Sequence, residues 1–192
     1  MKVVKRKQSK THLIWDSYSE GFNQKRIYLE FLFPFFVSLI TIIIHCFAYS
    51  SIQAILANLK IINYNFFTII AIQIGFNIAS MTLIASFNKV SISNAFSNLK
   101  EPTKKEQALK QLLASFTYCI LVQTGIIVIG FFYNINIVEL ININILNLRT
   151  NTAQSIIFLI LVLWISIIFH SFMVAIRNVV LIFKFILVTF KD

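Results

Sequence analysis

Apolar residues occur in four long runs along this chain, and each run is long enough to cross a bilayer as a helix. About 20 apolar residues in helical conformation span the hydrocarbon core of a bilayer. Segments rich in polar and charged residues separate the runs. The pattern predicts four transmembrane helices, at residues 28–49, 64–87, 112–133 and 153–176. We therefore expect an all-α membrane protein in which residues 1–192 form a single membrane domain.

The fourth apolar run continues well beyond the length of one span. No Gly or Pro interrupts residues 151–192, and at 1.5 Å per residue a helix over residues 153–190 measures about 55 Å. Arg177, Lys184 and Lys191 are seven residues apart and therefore share one helix face. Two interpretations stay open for residues 177–192. The span either runs into a basic cytosolic helix, or it ends in snorkelling cations and a tail on the membrane surface.

The second and third runs are joined by a polar segment, residues 88–111, which we expect to be a cytosolic helical hairpin. Glu101-Pro102 breaks the helical pattern, because the residue before proline avoids helical conformation. Thr103 and Glu106 have the spacing of a capping box, which would start the next helix. The tip of the hairpin is therefore predicted near Pro102.

The two remaining connections are predicted to be short. Residues 50–63 are expected to form a loop with a single cation. Residues 134–152 are rich in Asn among Ile and Leu, and we expect an interfacial loop or a single helical turn there.

Lys and Arg residues are concentrated in three of the five segments that flank the predicted spans. Residues 1–27 carry seven, residues 88–111 carry five and residues 177–192 carry three, whereas the other two connections carry one each. Because cytosolic flanks carry the excess of Lys and Arg, both termini and the hairpin are predicted to be cytosolic. The expected location is a plasma membrane or bacterial inner membrane, crossed several times. Residues 1–27 either flank the membrane with an aromatic belt or contact anionic lipid or nucleic acid.

Composition agrees with an integral membrane protein. Hydrophobic residues make up 58% of the chain and charged residues 12%, whereas about a quarter of the residues in a soluble domain are charged. Cys46 and Cys119 lie inside apolar runs at different predicted depths. We therefore expect both cysteines to be packing residues rather than partners in a disulfide.

Motifs of the common enzyme classes are missing from the sequence. It contains no HExxH, no GxSxG and no glycine-rich phosphate loop. Glu30 lies at the edge of the first predicted span and Glu139 in an outer connection, so a proton relay within the membrane is not expected. His45 and His170 lie near opposite faces and are not expected to share a metal ion. The chain is therefore predicted to be no enzyme, with no catalytic residues, no metal site and no cofactor.

Each predicted span carries a thin stripe of polar residues at helical spacing. The stripes are Ser38, Thr41 and His45 in the first span, Gln73, Asn77 and Ser80 in the second, Ser115, Cys119 and Gln123 in the third, and Ser155, Ser166 and His170 in the fourth. Such residues either hold helices together or line a wet pathway. In a monomer the stripes would meet in the middle of the bundle, whereas in a symmetric oligomer one stripe would face a central axis.

The fourth stripe is the best candidate for lining a pore, because it leads into the cationic face. The predicted pore-lining residues are Ser155, Ser166 and His170. The candidate ligand-binding or gating residues are Arg177, Lys184 and Lys191. Repeated around a ring, these three cations would form a positive cytosolic vestibule, which attracts anions, nucleotides and nucleic acid.

These features favour a homo-oligomeric membrane effector that forms a pore or ion channel and is gated from the cytosol. The expected trigger is an anionic ligand, such as a nucleotide or an oligonucleotide, or a cytosolic partner protein. The alternative is a non-conducting scaffold or transporter subunit that docks a cytosolic partner or anionic lipid. A closed ring with the fourth span at its axis favours the pore, and a fourth span packed outward against lipid favours the scaffold.

In layout the chain resembles the small four-helix membrane components of bacterial anti-phage defence systems, of the Hailong and Kiwa types. The resemblance lies in the chain length, the four spans, the basic N-terminus and the protruding cytosolic helices, and it carries no residue role with it. It implies that the protein disrupts or depolarises the membrane during infection. It also implies a cytosolic partner, either a nucleotidyltransferase or a nucleic-acid-binding protein.

Overall fold

Every regular element in the described part of the chain is a helix. A computed structural model describes residues 10–20, 22–49, 52–87, 101–142 and 151–189. The elements are α1 (Lys10–Ser19), α2 (Gln24–Ile27), a π-helical turn (Tyr28–Leu32), α3 (Phe33–Ala48), α4 (Ile52–Ser86), α5 (Pro102–Asn142) and α6 (Asn151–Thr189). Helix α2, the π-helical turn and α3 follow one another without a gap, and we call this continuous rod the first span.

Four rods are long and apolar enough to cross a membrane: the first span, α4, α5 and α6. Their candidate spanning segments contain 25, 33, 34 and 34 residues, whereas about 20 residues cross the hydrocarbon core. The all-α fold and the four membrane-length helices predicted from the sequence are therefore confirmed. The length and apolar character of these helices make the chain a multi-pass membrane protein.

Consecutive rods run in opposite directions and meet at the two ends of one bundle. At one end, the ring of Phe87, which follows α4, packs edge to face on Phe185 of α6, with ring centroids 5.5 Å apart. Leu112, near the start of α5, belongs to the same cluster. At the other end, Ile42 of α3 packs with Leu56 near the start of α4 and with the first half of α6. The bundle is therefore an up-and-down arrangement of four rods.

Positive charge is concentrated at the end where Phe87 packs on Phe185, and we call it the basic end. The described parts of the four rods contain eight Lys and Arg residues, and seven lie toward the basic end: Lys25, Arg26, Lys104, Lys105, Lys110, Arg177 and Lys184. The eighth, Lys60, lies beside Asn134 toward the opposite end, which we call the distal end. The first span therefore begins, and α6 finishes, at the basic end.

The four rods pack as two pairs. The first span packs mainly on α6, α4 packs mainly on α5, and contacts between α5 and α6 join the two pairs. Helices α4 and α5 approach closely at Gly130, where a Cβ atom would overlap the Phe67 ring and lie 3.2 Å from the Trp164 ring. The absence of a side chain at Gly130 is therefore what allows this approach.

The prediction of a loop at residues 50–63 is wrong, because α4 already begins at Ile52. Ile55, Leu56 and Leu59 form one apolar face of this first part of α4, and that face packs on α3 and α6. The polar residues between them lower the average hydropathy of the segment. Its helical conformation therefore depends on one-sided packing that a hydropathy average does not detect.

Helix α5 also extends further than its predicted span at both ends. It begins at Pro102, which has no N–H to leave unsatisfied in the first helical turn, and the Glu101 carbonyl accepts the N–H groups of Lys104 and Lys105 at 3.1 and 3.2 Å. The helix therefore starts one residue before the predicted cap at Thr103. It continues to Asn142, into the segment predicted as an interfacial loop or single turn.

Helix α6 is continuous from Asn151 to Thr189, in agreement with the uninterrupted helical pattern of the sequence. At 1.5 Å per residue it is about 58 Å long. Lys191 and the hairpin residues 88–100 lie outside the described residues, and so do residues 143–150.

The basic N-terminal segment contains a helix that the sequence did not predict. Helix α1 packs on α5, and Tyr18 is its buried anchor. The Tyr18 ring stacks on the Tyr118 ring with centroids 3.9 Å apart. Helix α1 therefore covers the side of the bundle near the start of the first span.

Candidate functional site

The site begins with an acidic residue that is turned into the bundle. Glu30 lies in the π-helical turn of the first span and is only 3% exposed. Pro34 follows four residues later and has no N–H with which to close the usual helical hydrogen bond to the Glu30 carbonyl. That carbonyl instead accepts a hydrogen bond from Nδ1 of His170 at 2.5 Å. The local sequence therefore frees a backbone oxygen for a contact with the last rod.

Three side chains from three elements converge on the Glu30 carboxylate. Arg26, one helical turn earlier, donates from Nε to Oε1 at 3.0 Å. Arg177 of α6 donates from Nη1 to the same oxygen. The Tyr18 hydroxyl of α1 donates to Oε2 at 2.5 Å. Both carboxylate oxygens are thus occupied, as a buried carboxylate requires, and α1, the first span and α6 are joined at one point.

His170 is satisfied on both ring nitrogens. A carbonyl oxygen can only accept, so Nδ1 carries the proton that bonds to the Glu30 carbonyl, and Nε2 bonds to the Tyr118 hydroxyl at 3.0 Å. The imidazole also packs on the Phe31 ring, with centroids 4.6 Å apart. His170 therefore supports the Glu30 cluster as a fully bonded side chain.

From Glu30 a continuous line of hydrogen-bonded side chains runs through the middle of the bundle. We call it the polar column, and its members in order are Glu30, Arg177, Ser115, Asn178, Asn77, Gln123 and Gln73. Ser115 accepts from Nη2 of Arg177 and donates to Oδ1 of Asn178 at 2.6 Å. The column therefore starts at an ion cluster and continues through neutral groups.

The inner part of the polar column consists of amides. Asn178 of α6 donates to Asn77 of α4 at 3.1 Å, Asn77 donates to Gln123 of α5 at 3.3 Å, and Gln123 donates back to Gln73 of α4 at 2.8 Å. Asn77 and Gln123 are completely buried. The stripes predicted for the second and third spans therefore face each other in the bundle interior.

An apolar layer ends the polar column on its distal side. Ile70 of α4, Ile126 of α5 and Ile168 of α6 pack together and are between 0% and 2% exposed. We call these three residues the isoleucine layer. Further toward the distal end, Trp164 donates from Nε1 to Oδ1 of Asn63 at 3.0 Å. Polar groups therefore occupy the bundle interior on both sides of the layer but not within it.

The polar stripe predicted for the first span has a local role. Ser38 donates to the carbonyl of Phe35, Thr41 donates to that of Val37, and His45 bonds to that of Thr41. All three side chains form hydrogen bonds to backbone carbonyl groups of their own helix, and they are not members of the polar column.

The predicted pore-lining and gating residues of α6 point in different directions. His170 and Arg177 are turned toward the bundle interior, Ser155 and Lys184 are exposed, and Ser166 is half-buried. Arg177 contacts Glu30, whereas Lys191 lies outside the described residues. The roles proposed for these residues in an oligomer stay predictions, because they concern contacts between copies of the chain.

Sequence reasoning missed Glu30, Tyr18 and Arg26 as parts of one site. The sequence of the first span does contain an indication of the site. Arg26 and Glu30 are four residues apart, which is the spacing of an ion pair on one helix face, and Pro34 follows four residues later. No such local signal links Tyr18 to the cluster. Within the described residues no three His, Cys, Asp or Glu side chains come together as a metal site.

Comparison with protein-family models, with curated proteins and with solved structures finds no match for this chain. Its likeness to the anti-phage membrane components therefore rests on the four-helix layout alone.

Proposed function

We propose that this chain is a membrane effector that changes the ion permeability of the bilayer, with the polar column as its path and the isoleucine layer as its gate. The observation that supports the proposal is the same order of groups along α4, α5 and α6. Polar side chains such as Gln73 and Gln123 come first from the basic end, and Ile70, Ile126 and Ile168 follow. Hydrophobic constrictions close pores by excluding water, so this order is that of a closed path.

The proposed orientation places the basic end in the cytosol, with both termini inside and the protein in a plasma or bacterial inner membrane. Seven of the eight described Lys and Arg residues of the rods lie at that end. Cytosolic flanks carry such an excess. The column would then be entered from the cytosol and closed toward the opposite side.

Opening would require the two helix pairs to separate. The first span packs on α6 and α4 on α5, and few contacts join the first span to α4. At the distal end a cavity of about 430 Å³ lies between the first span, α4 and α6, beside Ile42, Ile55 and Leu161. In a homo-oligomer, an anionic ligand such as a nucleotide or oligonucleotide, or a cytosolic partner, would pull on the basic ends. The layout resemblance supports a use in anti-phage defence, beside a nucleotidyltransferase or nucleic-acid-binding protein.

Flux measurements on the purified protein in liposomes test the path. Ile168→Ser places a hydroxyl in the isoleucine layer and should raise ion leak, because it lets water enter the constriction. Ile167→Ser makes the same change one residue away, on a side chain that is 46% exposed, and should leave the leak at its wild-type level. Ile70→Ser and its exposed neighbour Ile69→Ser form a second matched pair. Equal leaks within both pairs would exclude a path through the bundle.

The second candidate is a non-conducting scaffold or transporter subunit. It is favoured because the side chains of the polar column form hydrogen bonds with one another. Asn77, Gln123 and Asn178 bond to groups of the same chain, and interhelical amides in membranes commonly act only to hold helices together. The exposed cations of the basic end, including Lys104, Lys110 and Lys184, would then dock a cytosolic partner or anionic lipid. A protein that is silent in every flux assay but binds anionic vesicles would support this candidate.

A further inference from the structure

The ion cluster at the start of the polar column carries more positive than negative charge. Arg26 and Arg177 both donate to Glu30, so two guanidinium groups share one carboxylate and the cluster has a formal charge of +1. In surroundings less polarisable than water an uncompensated charge acts strongly on its neighbours. The cluster therefore has the charge to hold one further anion.

Hydrogen-bond donors in the cluster also outnumber the acceptors. Nη2 of Arg26 and Nε of Arg177 are buried and have no hydrogen-bond partner among the described residues. Both oxygens of Glu30 are already occupied, by the two arginines and by Tyr18. Buried donors of this kind are normally satisfied by protein, water or an ion. One nitrogen of each arginine therefore lacks an acceptor.

The surroundings of the two arginines match an oxyanion with several acceptor oxygens. The Arg26 guanidinium lies 4.3 Å from the Tyr18 ring centroid and 4.4 Å from that of Phe22, and the Arg177 guanidinium lies 5.2 Å from Tyr18. These ring contacts hold both guanidinium planes in place. Fixed guanidinium groups bind phosphate through paired N–H···O bonds.

The cluster lies near the beginning of the apolar part of the first rod. The candidate spanning segment of the first rod begins at Gln24, two residues before Arg26. Helices α5 and α6 continue past this level at the basic end, and α1 covers it from one side. The site is therefore at the edge of the apolar part of the first rod.

We propose that Arg26 and Arg177 form a binding site for a phosphate group, either the headgroup of an anionic phospholipid or a soluble phosphate ester. The inference rests on the proposed function, because it names the place at which an anionic ligand acts on the bundle. The phosphate would fill the acceptor position that Nη2 of Arg26 and Nε of Arg177 leave open. It would compete with Glu30 for the two arginines and so loosen the contact between the first span and α6.

Binding of inorganic phosphate to the full-length protein in nonionic detergent tests the site. The unfolding midpoint is followed as phosphate replaces chloride at constant ionic strength. Phosphate also stabilises proteins generally, so the informative quantity is the difference between variants. Arg26→Gln and Arg177→Gln should each weaken the apparent affinity by about tenfold or more, as expected for the loss of one charge-assisted hydrogen bond. Lys25→Gln removes the same charge from an exposed position at the same end and should bind like the wild type.

Glu30→Gln tests whether the arginine substitutions weaken binding only because they disturb the fold. Removal of the competing carboxylate raises the cluster charge to +2 and should tighten phosphate binding, whereas loss of fold would weaken it. Equal responses of all four variants, or weaker binding in Glu30→Gln, would overturn the site.

Vesicles identify the source of the phosphate. In phosphatidylcholine vesicles with and without phosphatidic acid, a lipid ligand should stabilise the wild type only when phosphatidic acid is present. A soluble ligand should act on vesicles of phosphatidylcholine alone once inorganic phosphate is added. Neither assay measures conductance, so a protein that conducts but binds no phosphate overturns this inference alone. A protein that binds phosphate but never conducts overturns the proposed path and leaves the site in place.

Discussion

Glu30 in the first span and Arg177 in α6 are 147 residues apart in the sequence and form an ion pair inside the helix bundle. The contact joins the first rod to the last at the basic end. Arg26 and Tyr18 occupy the remaining positions around the same carboxylate. Since a buried charge is stable only when it is paired and hydrogen-bonded, the position of the first span on α6 depends on this cluster.

Removing both partners of the pair should destabilise the bundle by less than the sum of the two single removals. Arg177→Gln leaves Glu30 with Arg26 and Tyr18 alone, and we expect a loss of about 1–3 kcal/mol in the free energy of unfolding. Adding Glu30→Gln removes the buried carboxylate, so the double variant should lose less than the sum of the two single variants. Unfolding in mixed detergent micelles measures the three values. Strict additivity would contradict the contact.

Gly130 should tolerate no side chain, whereas the other helical glycines should. A Cβ atom at Gly130 would overlap the Phe67 ring, but nothing lies within 4 Å of one at Gly75 or Gly125. Gly130→Ala is therefore expected to destabilise the α4–α5 pair by about 1–3 kcal/mol through overpacking. Gly125→Ala should be neutral or stabilise by up to about 1 kcal/mol, because alanine favours a helix interior. Thermal midpoints that change equally in both variants would exclude the close approach.

Hydropathy and helical spacing were sufficient to predict the four rods and the direction in which several polar residues point. Gln73, Asn77 and Gln123 share helix faces in the sequence, and they meet across α4 and α5. Polar groups in apolar helices are stable only against one another, which is why this part of the site follows from spacing alone.

The ion cluster did not follow from spacing, because its position depends on tertiary contacts. Glu30 stands at the edge of an apolar run, where an exposed carboxylate would be equally compatible with the sequence. It is buried only because Arg177 and Tyr18 reach it from other elements. Similarly, the first turns of α4 are helical because Ile55 and Leu59 pack against α3 and α6, and an average of hydropathy does not contain that information.

Thiol labelling should distinguish the two cysteines and test the proposed orientation. Cys46 is exposed near the distal end of the first span, and Cys119 is completely buried. A membrane-impermeant maleimide added outside intact cells should therefore modify Cys46 but not Cys119. The Cys119→Ser variant should be labelled as strongly as the wild type. Tyr49→Cys, at the end of the same rod, provides a second position beyond the last helical turn. Labelling of Cys46 and Tyr49→Cys only after the membrane is permeabilised would reverse the orientation.

The contact between α1 and α5 should weaken in acid. Hydrogen bonds from Gln107 and Gln111 to Glu20 hold the pKa of this carboxyl below its ordinary value of 4.5. A group whose pKa is lower in the folded state stabilises it above the unfolded pKa and loses that effect as the pH falls through the folded pKa. Trp15 fluorescence in a Trp164→Phe background should therefore show α1 loosening below about pH 4. Glu20→Gln should reduce this acid change, and an unaltered change would contradict the role of Glu20.

The same helix should loosen in alkali through Tyr18. Burial raises the pKa of the Tyr18 phenol well above its ordinary value of 10.0, and the hydrogen bond to Glu30 raises it further. Because the folded pKa is the higher one, the phenol stabilises docking below pH 10 and this effect is lost as the pH rises toward the folded pKa. Trp15 fluorescence should change above about pH 10 in the wild type and in Tyr64→Phe, an exposed control, but far less in Tyr18→Phe. At neutral pH, Tyr18→Phe should destabilise docking by about 1–3 kcal/mol, since it leaves Oε2 of Glu30 unpaired. An alkaline change of the same size in Tyr18→Phe would show that α1 is held by other groups.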